Sequence, residues 1–173
     1  MSNLHTQQQS IQKIMWGSLL FSNCVFFYLV YTDMIGTKNL QESNEIIAKV
    51  PYFMAVILGT ASFMIFRSTK NQEKLKKQLE KIKIGGPSNI QMTSAQIEEF
   101  NNMSDADKKK YILRNNIFIK YIISWALAES VNIFGLIGPF LGMPRNHYYT
   151  FFAVAIGLML TSFPSKNESI DRF

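Results

Sequence analysis

Three long runs of this sequence contain no charged side chain: Ile14 to Thr32, Val50 to Phe66 and Tyr148 to Phe163. A further run, Tyr121 to Met143, contains one, Glu129. A hydrocarbon layer about 30 Å thick calls for roughly 17 to 25 helical residues, and only helices or closed barrels satisfy their own backbone there. None of the runs alternates with period two, and each is long for a strand. Helices of a soluble bundle keep a polar face at helical spacing, whereas these are apolar all round. The expected fold class is all-α: a polytopic membrane protein with four transmembrane helices in two hairpins, joined by a helical cytoplasmic linker. The last run is the shortest and puts His147, Tyr149 and Pro164 near its membrane boundaries.

Charge sets the expected orientation. Eleven of the 18 Lys and Arg residues lie between Arg67 and Arg114, with Lys120 at the mouth of the third helix. The loops after the first and third helices carry only Lys38, Lys49 and Arg145. The positive-inside bias then places the linker and both termini in the cytoplasm. Three units follow: a first hairpin over 1–66, a basic linker over 67–116, and a second hairpin with a short tail over 117–173. The polar start from Met1 to Ser10 holds no Lys or Arg, and Tyr31 to Gly36 lacks a small-x-small cleavage site, so the first helix reads as retained rather than as a secretory signal.

The linker begins as an expected extension of the second helix, with Leu75, Leu79 and Ile82 at i, i+4 and i+7 and a stop at Gly85-Gly86-Pro87. Thr93 with Gln96 forms a capping box, and Ser104 with Asp107 marks a further start that runs through Lys108, Lys109 and Lys110 toward the membrane. Lys70, Lys74, Lys76, Lys77, Lys81 and Lys83 make a polybasic stretch. Anionic headgroups attract such cations at about 1 kcal/mol each, so a lipid-headgroup contact is one reading, and a solvated helix carrying a topology signal is the other. Nucleic acid is disfavoured despite a pI near 9.4, because Phe100 and Tyr111 are the only aromatics between Arg67 and Arg114.

Placing Lys13 on Lys120 also aligns Leu20 with Leu127, Phe27 with Phe134 and Leu29 with Leu136. A tandem repeat of two hairpins and a chance match between apolar helices both fit this alignment. Small-xxx-small pairs, Ser18/Ser22, Ala55/Gly59, Gly138/Gly142 and Ala153/Gly157, offer surfaces for close helix approach within the bundle or between copies.

Glu129 invites a mechanism. It lies nine residues beyond Lys120, about 13 Å into the membrane at helical rise. An ionised carboxylate at that depth costs several kcal/mol, which predicts a protonated or hydrogen-bonded group. The expected partners are Asn132 one turn on, and Ser18, Ser22 or Asn23 from the first helix. Such a cluster can tie helices together or bind a proton or cation, with Glu129, Asn132, Ser22 and Asn23 as the candidate ion-binding residues.

The run Ala128-Glu129-Ser130-Val131-Asn132-Ile133-Phe134-Gly135-Leu136-Ile137 resembles the ion-carrying helix of rotary ATP synthase c subunits. That resemblance implies an ion-binding role for Glu129. The chain departs from the c subunit in its long basic linker, its two further helices and its lack of a run with glycine at every second position. Ala126-Leu127-Ala128-Glu129 together with Pro164-Ser165-Lys166 resembles a set of small four-helix bacterial inner-membrane proteins, which implies a fold and a location but no activity.

Other chemistry is sparse. His5 and His147 are far apart and have no ligand partner nearby, so no metal site or other cofactor is expected. Cys24, the only cysteine, lies inside an apolar helix and is expected to be inert. Walker and dinucleotide motifs are absent. The expected function is a non-enzymatic accessory or assembly component of a membrane complex, and the alternative is a proton- or cation-binding subunit using Glu129. The expected partners are the bilayer and its anionic lipids, with a homo-oligomer or a larger membrane complex.

Overall fold

A computed structural model describes residues 3–32, 34, 45–82 and 93–164. Among the described residues the chain is all-helical: α1 (Asn3–Tyr31), α2 (Glu45–Lys70), α3 (Gln72–Lys81), α4 (Ser94–Asn101), α5 (Asp105–Ile137) and α6 (Arg145–Thr161). Lys83, Lys38 and Gly85-Gly86-Pro87 lie outside the described residues, as does the side chain of His5.

Three helices are long and apolar enough to cross a membrane: Thr6–Tyr31, Lys49–Lys70, and Asp105–Leu141 with its closing 3-10 turn. Their outward faces are bulky and apolar, with Phe21 and Phe53 each 71% exposed and Val56 66%. Water would oppose such a surface, whereas lipid tails match it. At 33 residues α5 extends about 50 Å, so its charged first turns stand clear of a 30 Å hydrocarbon layer. α6 has 17 residues.

Consecutive helices are not always neighbours. α5 and α6 pack antiparallel, while α1 and α2 each pack on both of them and hardly touch one another among the described residues. The centre of the bundle is thus the α5–α6 pair, with α1 and α2 on separate flanks. A duplicated hairpin requires α1 and α2 to pair as α5 and α6 do, and the packing does not show that equivalence.

Two apolar clusters fill the interior. Phe66, Leu75, Leu113, Ile117, Tyr121, Trp125, Ala128 and Met159 form one. Val30, Ala55, Val131, Tyr148, Phe151, Phe152 and Ala155 belong to the other. On α5 the division falls between Ala128 and Val131, at the level of Glu129.

The linker helices follow their capping signals, with one correction. α3 does not continue α2, because Asn71 takes an extended conformation and its side chain accepts from the Lys74 amide, starting a new helix. Thr93 and Gln96 form the full capping box of α4. Ser104 caps α5, which runs unbroken from there into its apolar part.

α5 turns into α6 over the 3-10 turn Gly138–Leu141, closed by Gly142 at φ 66°, a left-handed conformation that suits glycine. The glycines divide sharply in how closely a neighbour approaches them. Cβ atoms added at Gly135 and Gly138 would lie 2.7 Å from the Phe152 ring and 2.5 Å from Tyr148 Cβ, whereas at Gly17 and Gly157 they would meet nothing within 4 Å. Ser18, Ala153 and Gly157 are exposed, facing away from the bundle. Gly138→Ala is therefore expected to destabilise the α5–α6 pair by about 1–3 kcal/mol. Gly157→Ala should be neutral or stabilising by up to about 1 kcal/mol, and unfolding of both variants in detergent checks the contrast.

Candidate functional site

Four of the helix pairs at the centre are joined by polar side chains. Between α1 and α5, Ser22 Oγ donates to Glu129 Oε1 at 3.3 Å and Asn23 Nδ2 donates to Oε2 at 2.5 Å. The Asn23 amide also donates to the Leu19 carbonyl of its own helix at 2.8 Å. Both carboxyl oxygens of Glu129 are thus held by α1. Ser18, one turn earlier, is exposed and turns away.

Asn132 occupies a different environment. It is fully buried, and neither its Oδ1 nor its Nδ2 finds a hydrogen-bond partner among the described residues; the same holds for Asn23 Oδ1. Three unsatisfied amide atoms therefore lie within about one helical turn of the Glu129 level. A buried polar group without a partner costs about 1–3 kcal/mol. Among the described residues no group of His, Cys, Asp and Glu has metal-binding spacing.

Between α2 and α5, Ser62 and Ser124 exchange hydroxyls reciprocally. Ser62 Oγ donates to the Ser124 carbonyl at 2.8 Å, and Ser124 Oγ donates to the Ser62 carbonyl at 3.0 Å. Sequence reasoning missed this pair; its only signal is two hydroxyls inside otherwise apolar runs. Both serines are buried.

The two tryptophans close the end of α6. Trp16 Nε1 of α1 donates to the Met159 carbonyl at 2.7 Å, and Trp125 Nε1 of α5 donates to the Ser162 carbonyl at 3.3 Å. A helix C-terminus leaves carbonyls without intrahelical partners, and a bilayer core supplies no water to satisfy them. Tryptophans near helix ends commonly anchor to the interface, yet Trp125 is wholly buried in the first apolar cluster. Its indole serves the bundle instead.

On the outer face, α2 and α6 border an apolar groove of about 430 Å³ lined by Tyr52, Ala55, Gly59, Phe63, Val154 and Leu158 among others. Cys24 is exposed on α1, so it points outward rather than into the bundle. Lys70, Lys74, Lys76, Lys77 and Lys81 are all exposed at the end of α2 and on α3, with Lys70 over the Phe66 ring at 4.6 Å. No family model, curated protein or solved structure matches the chain.

Trp16→Phe and Trp125→Phe each keep an aromatic ring and delete one N–H. Each is expected to cost about 1–3 kcal/mol of bundle stability, read by detergent unfolding, with loss of amide-exchange protection concentrated at Leu158–Ser162.

Proposed function

We propose that this chain is a bacterial inner-membrane bundle crossing the bilayer four times, and that it acts as a non-enzymatic accessory or assembly component of a membrane complex. Both termini and the linker over 67–116 then lie in the cytoplasm, as the distribution of Lys and Arg favours. α6 spans about 25 Å, slightly less than the hydrocarbon layer, and local bilayer thinning accommodates such a mismatch at modest cost. Its antiparallel packing on α5 supports a fourth crossing.

The observation that carries the reading is the capture of both Glu129 oxygens by α1. In this arrangement the intramembrane carboxyl is a clamp between two helices. Polar contacts of this kind are worth about 0.6 kcal/mol on average in bilayers and up to about 1.7. Glu129→Gln retains one acceptor and should leave stability within about 1 kcal/mol, whereas Glu129→Leu should loosen α1. Cross-linking of cysteine pairs placed on α1 and α5 reads the difference; equal cross-linking in the two variants would remove the clamp. A photoreactive residue replacing outward-facing Phe21 or Val56 should capture protein in native membranes, and adducts to lipid alone overturn an assembly role.

A second reading rests on the unsatisfied amide atoms of Asn132 and Asn23. With Glu129 and Ser22, the two Oδ1 atoms would supply oxygen ligands for a proton or a monovalent cation near the membrane midplane, the role that the resemblance to c subunits implies. Modification of Glu129 by an apolar carbodiimide, blocked by Na⁺ or slowed at high pH, supports it. Labelling indifferent to both would sink it.

A further inference from the structure

α3 meets two separated stretches of α5. Its residues Leu79 and Glu80 border a cleft with Asp105, Ala106, Lys109 and Lys110, while Gln78, Lys81 and Ile82 border another with Asn116, Ile119 and Lys120. From Asp105 to Lys120 is about 22 Å along α5, but Gln78 to Ile82 covers only about 6 Å of α3. A helix lying alongside α5 would not reach both. α3 therefore crosses α5, pinned where Leu75 is buried in the cluster that holds Leu113 and Ile117. One cleft faces the charged start of α5, and the other faces its apolar part.

The two clefts differ in charge. The first holds two carboxylates and two ammonium groups, which neutralise one another. The second, about 370 Å³, holds Lys81 and Lys120 with no carboxylate among the described residues that line it, two side-chain amides from Gln78 and Asn116, and the apolar side chains of Ile82 and Ile119. Ile119 is 46% exposed although it lies beside the last cation before the apolar run. Cations and amide donors above an exposed isoleucine match one chemistry, a phosphate ester carrying an acyl chain. Long lysine stems suit that boundary, since their methylenes lie along apolar surface while the ammonium reaches the headgroup.

We propose that the cleft between α3 and α5 binds the headgroup of an anionic phospholipid, with its phosphate between Lys81 and Lys120 and its acyl chain running past Ile119. This rests on the membrane reading above and goes beyond a diffuse polybasic attraction, because it assigns a discrete site and includes Lys120, which lies outside the polybasic stretch.

The test uses the full chain in nanodiscs of phosphatidylcholine containing a small fraction of spin-labelled phosphatidylglycerol. Wild type should hold a motionally restricted phosphatidylglycerol population that spin-labelled phosphatidylcholine does not show. Each cation near an anionic surface contributes about a fivefold preference, so Lys81→Gln with Lys120→Gln should weaken selectivity by about 25-fold. Lys76→Gln with Lys77→Gln removes the same charge from exposed positions outside the cleft and should change it less than twofold. Lys81→Arg with Lys120→Arg should restore binding, which separates loss of the site from loss of the fold. Equal losses from the two glutamine pairs would overturn the discrete site in favour of diffuse attraction. Displacement of the lipid by millimolar inorganic phosphate would overturn the lipid assignment in favour of a free phosphate. Failure of the wild type to enter nanodiscs would instead strike at the membrane reading itself.

Discussion

Hydrogen-bonding groups buried in hydrocarbon have no water to fall back on, and the bundle is organised by where such groups find partners. Glu129 is taken by Ser22 and Asn23, Ser62 pairs with Ser124, and the carbonyls at the end of α6 are met by the indoles of Trp16 and Trp125. Between apolar helices in lipid there is little hydrophobic drive to choose a partner, so packing and these directional contacts settle which faces meet. Each tie joins a different pair of helices. Together they hold α1 and α2 to a common α5–α6 centre, although the two flanking helices scarcely touch.

α5 bears most of this organisation. Its one continuous helix carries the Ser104 cap at its start, the crossing point of α3 at Leu113 and Ile117, the serine and tryptophan contacts, and Glu129 at the boundary between the two apolar clusters. Two glycines near its far end allow α6 to approach closely, Gly135 under the Phe152 ring and Gly138 against Tyr148. The same helix therefore connects the basic surface around α3 to the Glu129 carboxyl. Both the lipid cleft and the Glu129 cluster depend on it.

Much of the outline was legible in the residues themselves. The Thr93/Gln96 box and the Ser104 cap appear where their spacing placed them, because capping is local chemistry between residues three apart. Ser22 and Asn23 were two of several polar candidates for Glu129, and choosing them over Ser18 took the rotation of α1, which no local pattern encodes. Asn71 was misjudged as part of a continuous helix: the apolar spacing of Leu75, Leu79 and Ile82 is the same whether or not a new helix begins at Gln72. The serine pair and the capping role of the tryptophans were not visible at all, since each joins residues 37 to 143 positions apart.

The sequence by itself determined that the apolar runs are helices and that a single carboxyl lies within the third of them; it counted four crossings, whereas three of the described helices are long and apolar enough for lipid. Those properties depend on composition and on spacings of three or four residues. Only the tertiary structure decided that, among the described residues, α1 and α2 flank the α5–α6 pair instead of pairing with each other, that α3 crosses α5, and that Asn132 is buried without a partner while Asn23 reaches Glu129. Helices that are apolar all round carry no stripe to announce which face turns inward. Their orientation is set by glycine clearances and a few hydrogen bonds that exist only once the helices are together.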